Sequence, residues 1–376
     1  MRLSRTRGAA FAVLWLAGPA SVALASEGDT LQPYQMVRSL QLVQDQIASG
    51  DHAALPMQRK LLELIDKRFR QANSEDFVDE RNYEALLVYA MSGGNPSTID
   101  ALLAKLHLNE TDRALGTGIL GYLNGDVIVA RGALGSVDPM KLAPDVGAFF
   151  ALVKGSITAS EDPQGALRMF DEARLLSPGT LVEEAALRRT MALRNDDPAR
   201  FLLACSQYVR RFLHSPYASQ FADAFVDGII ARHAAVDLAE VERIVADMDP
   251  ERQKIIWLRL ARRAAIDGYI ELTEYASSHA DAIKLASPDE NTDPRTLLYS
   301  SLATITSETV DEVLPKLKTI DRTRLSESDR KLLDAALAIA ESVTAPAEAP
   351  APMVAVADER KPDKSAEATA SPDGDL

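Results

Sequence analysis

In four segments of this chain an Asn or Asp directly before a proline leads an apolar run at three-and-four spacing. The segments are "NPSTIDALL" (Asn95, Pro96), "EDPQGALRMF" (Asp162, Pro163), "NDDPARFLL" (Asp197, Pro198) and "MDPERQKII" (Asp249, Pro250). The first amides of a helix have no intrahelical acceptor, so an Asn or Asp side chain there satisfies one of them, and proline fits the first helical position because its missing N–H is not needed. Each segment therefore predicts a helix start. Thr309 with Glu312 and Ser326 with Asp329 have capping-box spacing and predict two more. From Gln32 to about Val343 the apolar periodicity is helical, without a convincing pair of strands.

The starts recur. Pro163 to Pro198 is 35 residues, Asp126 to Asp162 is 36, and Gly94 to Gly125 is 31. These lie close to the roughly 34-residue period of tetratricopeptide hairpins. Ala166, Phe170, Ala173 and Pro178 fall at intervals of 4, 3 and 5, like the second helix of such a hairpin and its terminating proline. The next unit is degenerate, with Ala204, Tyr208 and Arg211 at the corresponding places. The expected fold is all-α: an irregular α-solenoid of TPR-like hairpins with a disordered C-terminal tail. The expected divisions are a secretory signal at 1–25, an N-terminal helical hairpin or cap at 26–79, TPR-like repeats at 80–233, further paired helices at 234–343 and the tail at 344–376. The tail is rich in Ala, Pro and acids and poor in large apolar residues, too few to offset the entropy of ordering it.

Residues 116–121, "GTGILG", spell the G-x-G-x-x-G of a dinucleotide-binding turn. That turn needs a strand before it, whereas "LNETDRAL" carries a helix start at Asn109, with Asp112 three residues on. Gly118 lies 12 residues before Ala130, the separation of the small residues that let two helices of a hairpin approach closely. The glycines are expected to thin a helix, with Gly118 packing on Ala130.

The first 25 residues have the layout of a cleaved secretory signal: Arg2, Arg5 and Arg7, an apolar run, then Ala23 and Ala25 before Ser26. Gly18 and Pro19 interrupt the run and argue against an uncleaved anchor. No later stretch has the apolar length to span a membrane, so none is expected to insert after cleavage. A net charge of −14 and a pI near 4.9 disfavour nucleic acid as a partner. The single cysteine, Cys205, cannot form an internal disulfide and reads as a buried thiol.

No catalytic constellation emerges. His52, His107, His214, His233 and His279 are scattered, without ligand-like spacing. The acidic "NSEDFVDERN" (73–82) lacks the spaced oxygens and central glycine of a calcium loop and reads as a connection. The expectation is no catalytic residue, no cofactor and no metal. Two segments are candidates for partner binding. "RQKIIWLRLARR" places Arg252, Arg259 and Arg263 in a basic stripe, and Trp257 is a candidate anchor for an acidic partner. The plainer reading of the same residues is a solvated face paired to local acids, opposite a buried Trp257. The N-terminal segment has one apolar face through Tyr34, Val37, Leu40, Val43 and Ile47, then a second through Met57, Leu61, Leu64 and Ile65, which suits a cap or a partner groove.

The segment "QPYQMVRSLQLVQDQIASGDHAALPMQRKLLELIDKR" after a secretory signal, with "LVYAMSGGNPSTIDALL" and "SPYASQFADAFVDGI", resembles the MotC motility family of rhizobial and related α-proteobacteria. The resemblance covers roughly residues 32–330 and leaves out the tail. It implies a non-enzymatic periplasmic accessory protein of the flagellar motor, required for rotation and acting through the periplasmic part of the stator protein MotB. Composition and periodicity alone imply only a secreted helical repeat protein. Two further readings are a general periplasmic scaffold for secretion or polysaccharide export, and a peptidoglycan-cleaving enzyme. The latter needs a catalytic acid in a compact domain, and the segment after 236 reads as more paired helices.

Overall fold

The computed structural model describes residues 31–193, 197–285, 293–304 and 309–344. The expected signal at 1–25 and the tail beyond Thr344 lie outside these. Seventeen α-helices and no strand occur among the described residues. They are α1 (Pro33–Ala48) and α2 (Ala54–Arg70), α3 (Glu80–Met91) and α4 (Pro96–Lys105), α5 (Glu110–Leu123) and α6 (Val127–Leu134), α7 (Pro144–Thr158) and α8 (Pro163–Leu176), α9 (Leu181–Ala192) and α10 (Pro198–Phe212), α11 (Ala218–Ala231) and α12 (Leu238–Ala246), α13 (Pro250–Asp267) and α14 (Ile270–Ala282), then α15 (Pro294–Thr304), α16 (Val310–Lys318) and α17 (Glu327–Thr344).

All four proline-led starts form as their chemistry requires. Asn95 accepts from the Ser97 amide (3.0 Å), Asp162 from Gly165 (2.8 Å), Asp197 from Arg200 (2.9 Å) and Asp249 from Arg252 (3.0 Å). Ser326 accepts from the Asp329 amide at 3.1 Å, while the Asp329 carboxylate bonds the Ser326 hydroxyl and not its backbone. Thr309 departs from the expected box: its side chain caps nothing in α16, and its hydroxyl donates to the Thr304 carbonyl instead.

Helices α3, α7, α9, α11, α13 and α15 pack each on the next to form one continuous row. The α5/α6 hairpin branches from this row, because α3 meets α7 directly while α5 packs on α3 and α6 on α7. This branch makes the solenoid irregular. Ala166, Phe170 and Ala173 are all buried, and a Cβ on Gly155 of α7 would fall 2.6 Å from the Phe170 ring, so that glycine lets α8 close on α7. Successive units are also stitched by polar bonds. Arg131 to Glu161, Arg174 to Gln207, Arg188 to Gln220, Arg200 to Asp171, Arg211 to Glu183 and Arg259 to Asp223 each join residues 28 to 36 apart, about one repeat.

Four apolar clusters hold the array among the described residues: one from α1 to α7 around Leu40, Phe69, Tyr89 and Phe150, a small one of Val43, Ile47 and Ala54 against Leu181 and Tyr217, a small one joining α7, α8 and α9, and a large one from α9 to α17 around Tyr208, Phe221, Trp257 and Leu298. Cys205 is fully buried in the last. With no disulfide available, each large buried side chain, at roughly 1.5–3 kcal/mol, matters to stability.

The "GTGILG" glycines lie inside α5, and Asn109 caps it through the Asp112 amide at 2.8 Å. The pairing is one turn away from the expected one. Gly118 faces Leu134, and it is Gly121 whose Cβ would meet the Ala130 amide at 3.1 Å. Gly116 is thin toward Leu103 of α4.

The N-terminal hairpin packs across the row: α1 lies against both α3 and α9. Val37, Leu40, Val43 and Ile47 are buried as expected. On α2 only Ile65 of the predicted apolar face is buried, because Met57 and Leu64 point outward at 53% and 40% exposure.

Candidate interaction surface

The basic stripe lies along α13 as the sequence predicts, and every one of its arginines has an acidic neighbour. Arg252 bonds Asp249, the cap of its own helix. Arg259 reaches Asp223 of α11 at 2.9 Å, and one turn on Arg263 reaches Asp227 of α11 at 3.6 Å and Asp267 of α13 at 2.8 Å. Asp223 and Asp227 are four apart on α11, as Arg259 and Arg263 are on α13, so the pairs form a short ladder between neighbouring units. All four side chains are roughly half exposed or more. Trp257 belongs to the core: it is 3% exposed, edge-on to Tyr275 at 5.8 Å and close to His279 at 4.7 Å. It holds α13 onto α14 and does not reach a partner. Arg262, on another face, bonds Asp329 at 2.9 Å.

Three of the histidines bond or stack within the fold. His279 bonds the Tyr275 carbonyl (2.8 Å), His233 stacks on Tyr269 (3.9 Å), and His52 bonds the His214 carbonyl (3.0 Å). Among the described residues no group of three or more His, Cys, Asp or Glu is placed to hold a metal ion. In the 73–82 segment Asn73 and Asp76 cap a short 3-10 turn, Ser74–Val78, and Arg68 holds Asp76 at 2.6 Å, so these acids are used by the fold. Burial pushes the Cys205 thiol well above its ordinary range, against the opposing charge of Arg232, and so keeps it unreactive.

A feature that no sequence pattern marked lies under α1. An open cleft of about 250 Å³ separates α1 from α7 and the start of α9, lined by Arg38, Asp45, Asp145, Phe149, Thr180 and Leu181. Asp45 of α1 and Asp145 of α7 are 100 residues apart in the chain, and neither belongs to a motif. The only local hint is Gly50, whose place in the tight "ASGDH" turn is visible in the sequence.

Similarity to known chains gives this stitched helical array a family. The family model described as Chemotaxis protein MotC matches residues 1–375. The chain belongs to the MotC family. A Chemotaxis protein MotC of Rhizobium meliloti (strain 1021) is 39% identical over 355 residues, spanning 90% of this chain and 80% of that one. No solved structure matches. The expected extent of the resemblance, roughly 32–330, was too short, since the MotC match runs over residues 1–375. MotC names a chemotaxis and motility protein and not an enzyme family. No helix among the described residues is long and apolar enough to cross a membrane.

Proposed function

We propose that this MotC protein works without catalysis, as a periplasmic accessory protein required for flagellar rotation, and that it binds the periplasmic part of MotB and so helps control the coupling of energy to rotation. Membership of the MotC family carries the reading. The leader of Arg2, Arg5 and Arg7, an apolar run and an Ala-x-Ala end supports export. The array supports action through a surface, because stacked hairpins bury a continuous core and leave long faces for a partner. Binding energy would then bias the position or conformation of the stator.

Within this reading, the α13 ladder is the docking face. An acidic partner segment would take over Arg252, Arg259 and Arg263 from Asp249, Asp223, Asp227 and Asp267. Exchange of this kind costs little, since exposed ion pairs contribute only about 0–1 kcal/mol. Trp257 contributes by holding α13 in place from beneath.

The test is swimming by a strain lacking the gene, complemented with either the full chain or a chain without residues 1–25. The full chain restores rotation and the leaderless chain does not. Normal swimming in the deletion strain, or full rescue by the leaderless chain, would overturn the proposal.

A further inference from the structure

Helices α14 and α15 pack directly on each other, with Leu272, Ala276 and Ala280 of α14 and Leu298 and Tyr299 of α15 turned into the core. Beside this seam runs an open cleft of about 520 Å³. One wall is α14, where Glu274, Ser277, Ser278 and Asp281 stand at helical spacing and so share a face. The other is the start of α15, with Thr296, Leu297 and Ser300.

Hydroxyls in a helix commonly turn back to a carbonyl three or four residues earlier. Here Ser278 donates to the Tyr275 carbonyl (2.8 Å), Ser300 to Leu297 (3.2 Å) and Thr273 to Tyr269 (2.8 Å). Ser277 and Thr296 do not. They are 2% and 8% exposed, and neither hydroxyl oxygen has a hydrogen-bond partner among the described residues. A hydroxyl removed from water and left unbonded destabilises the free chain. That one such group lines each wall is what marks the cleft as a site.

The charges narrow its ligand. Asp293, at the mouth, is held by Arg295 at 2.6 Å. Glu274 and Asp281 are exposed and carry no ion pair or hydrogen bond from their side chains among the described residues, unlike the acids facing the α13 arginines. Two turns of helix put them roughly 10 Å apart. Lys284 is the only cation of the lining, so the cleft as a whole repels anions. An ammonium group fits, because it only donates, and carboxylates and hydroxyl oxygens accept. A lysine also brings a methylene stem to lie on Leu297.

We propose that the α14/α15 cleft is a second docking site, opposite in sign to the α13 ladder, for an extended lysine-bearing segment of a protein partner. Its ammonium groups pair with Glu274 and Asp281 and give Ser277 and Thr296 the partners they lack. The site rests on its own lining and does not require MotB as the partner.

Fluorescence anisotropy of the purified mature chain at low salt tests this, with a short labelled peptide of alternating Lys and Ala and the same peptide with acetylated lysines. The lysine peptide should bind and the acetylated one should not. Glu274→Gln with Asp281→Asn should weaken binding about tenfold. Asp100→Asn with Glu110→Gln removes the same charge from α4 and α5 and should leave binding unchanged, which separates a site from the general attraction of an acidic chain. Ser277→Ala and Thr296→Val should also weaken binding, yet each should raise the melting temperature of the free protein by about 1–3 °C, since each deletes an unbonded buried hydroxyl. Equal loss in the two charge variants, hydroxyl variants that melt below the parent, or tighter binding of spermidine than of the peptide would overturn the proposal.

Discussion

Gly118 of α5 and Leu134 of α6 occupy the same space: a Cβ on the glycine would lie 2.3 Å from Leu134 Cδ2 and 2.5 Å from Cγ. By contrast, Gly132 of α6 has nothing within 4 Å of the position its Cβ would take. The first glycine sets the spacing of a hairpin, and the second only weakens a helix.

Opposite outcomes follow for the same substitution. Gly118→Ala should destabilise by about 1–3 kcal/mol through overpacking, even though alanine is the better helix former. Gly132→Ala should stabilise by about 0.5–1 kcal/mol. Urea midpoints of the two variants, taken with unchanged m-values, decide the matter.

Glu184 is fully buried and holds two units together, accepting from Tyr208 at 2.7 Å and from Arg188 at 2.8 and 2.9 Å. Burial and the Glu184 charge push the Tyr208 hydroxyl pKa upward, so it remains a donor at any physiological pH. Glu184→Ala would strand both partners and should cost roughly 3–5 kcal/mol. Glu184→Gln, which keeps an acceptor, should cost clearly less in the same urea titration.

Acid should loosen the far end of the array at Asp329. Burial would raise this carboxyl, but hydrogen bonds from Ser326, Arg262 and Tyr299 outweigh it and hold the group below its ordinary 3.8. A depressed native pKa contributes stability that is present above the unfolded value and is lost as pH falls through the native one. Asp329→Asn should therefore lower the melting temperature at pH 7 while narrowing the gap to the parent chain below about pH 4. Thermal melts across that range measure it.

Arg259→Ala with Arg263→Ala should leave the fold within about 1 kcal/mol of the parent, since both pairs are exposed. The same double variant should weaken capture of the periplasmic MotB fragment and reduce its dependence on salt. Intact binding in the variant would remove the α13 ladder from the docking face.

Much of this fold was legible because its signals are local. Asn95, Asp162, Asp197 and Asp249 cap the helices that follow them, and the small residues of α8 face inward, because capping and helical periodicity act within a few residues. What could not be read depends on packing between distant segments. Gly118 meets Leu134 because helix crossing, not spacing, sets the contact. Thr309 has the spacing of a cap but an αR-like backbone that turns its hydroxyl away. The α13 arginines were legible as a stripe, yet nothing in the sequence shows that Asp223 and Asp227 stand opposite two of them. Trp257 had the look of an anchor, and only tertiary packing against Tyr275 and His279 makes it core. The Asp45–Asp145 cleft left no trace, because its residues come from separate helices.

Calorimetric titration of the purified mature chain, from Ser26 onward, with the purified periplasmic fragment of MotB tests the central claim most directly. The expected result is saturable binding at a fixed stoichiometry, weakened by added salt. Absence of any heat or complex, with both proteins folded and at concentrations of about 0.1 mM, where even weak association is visible, would contradict it.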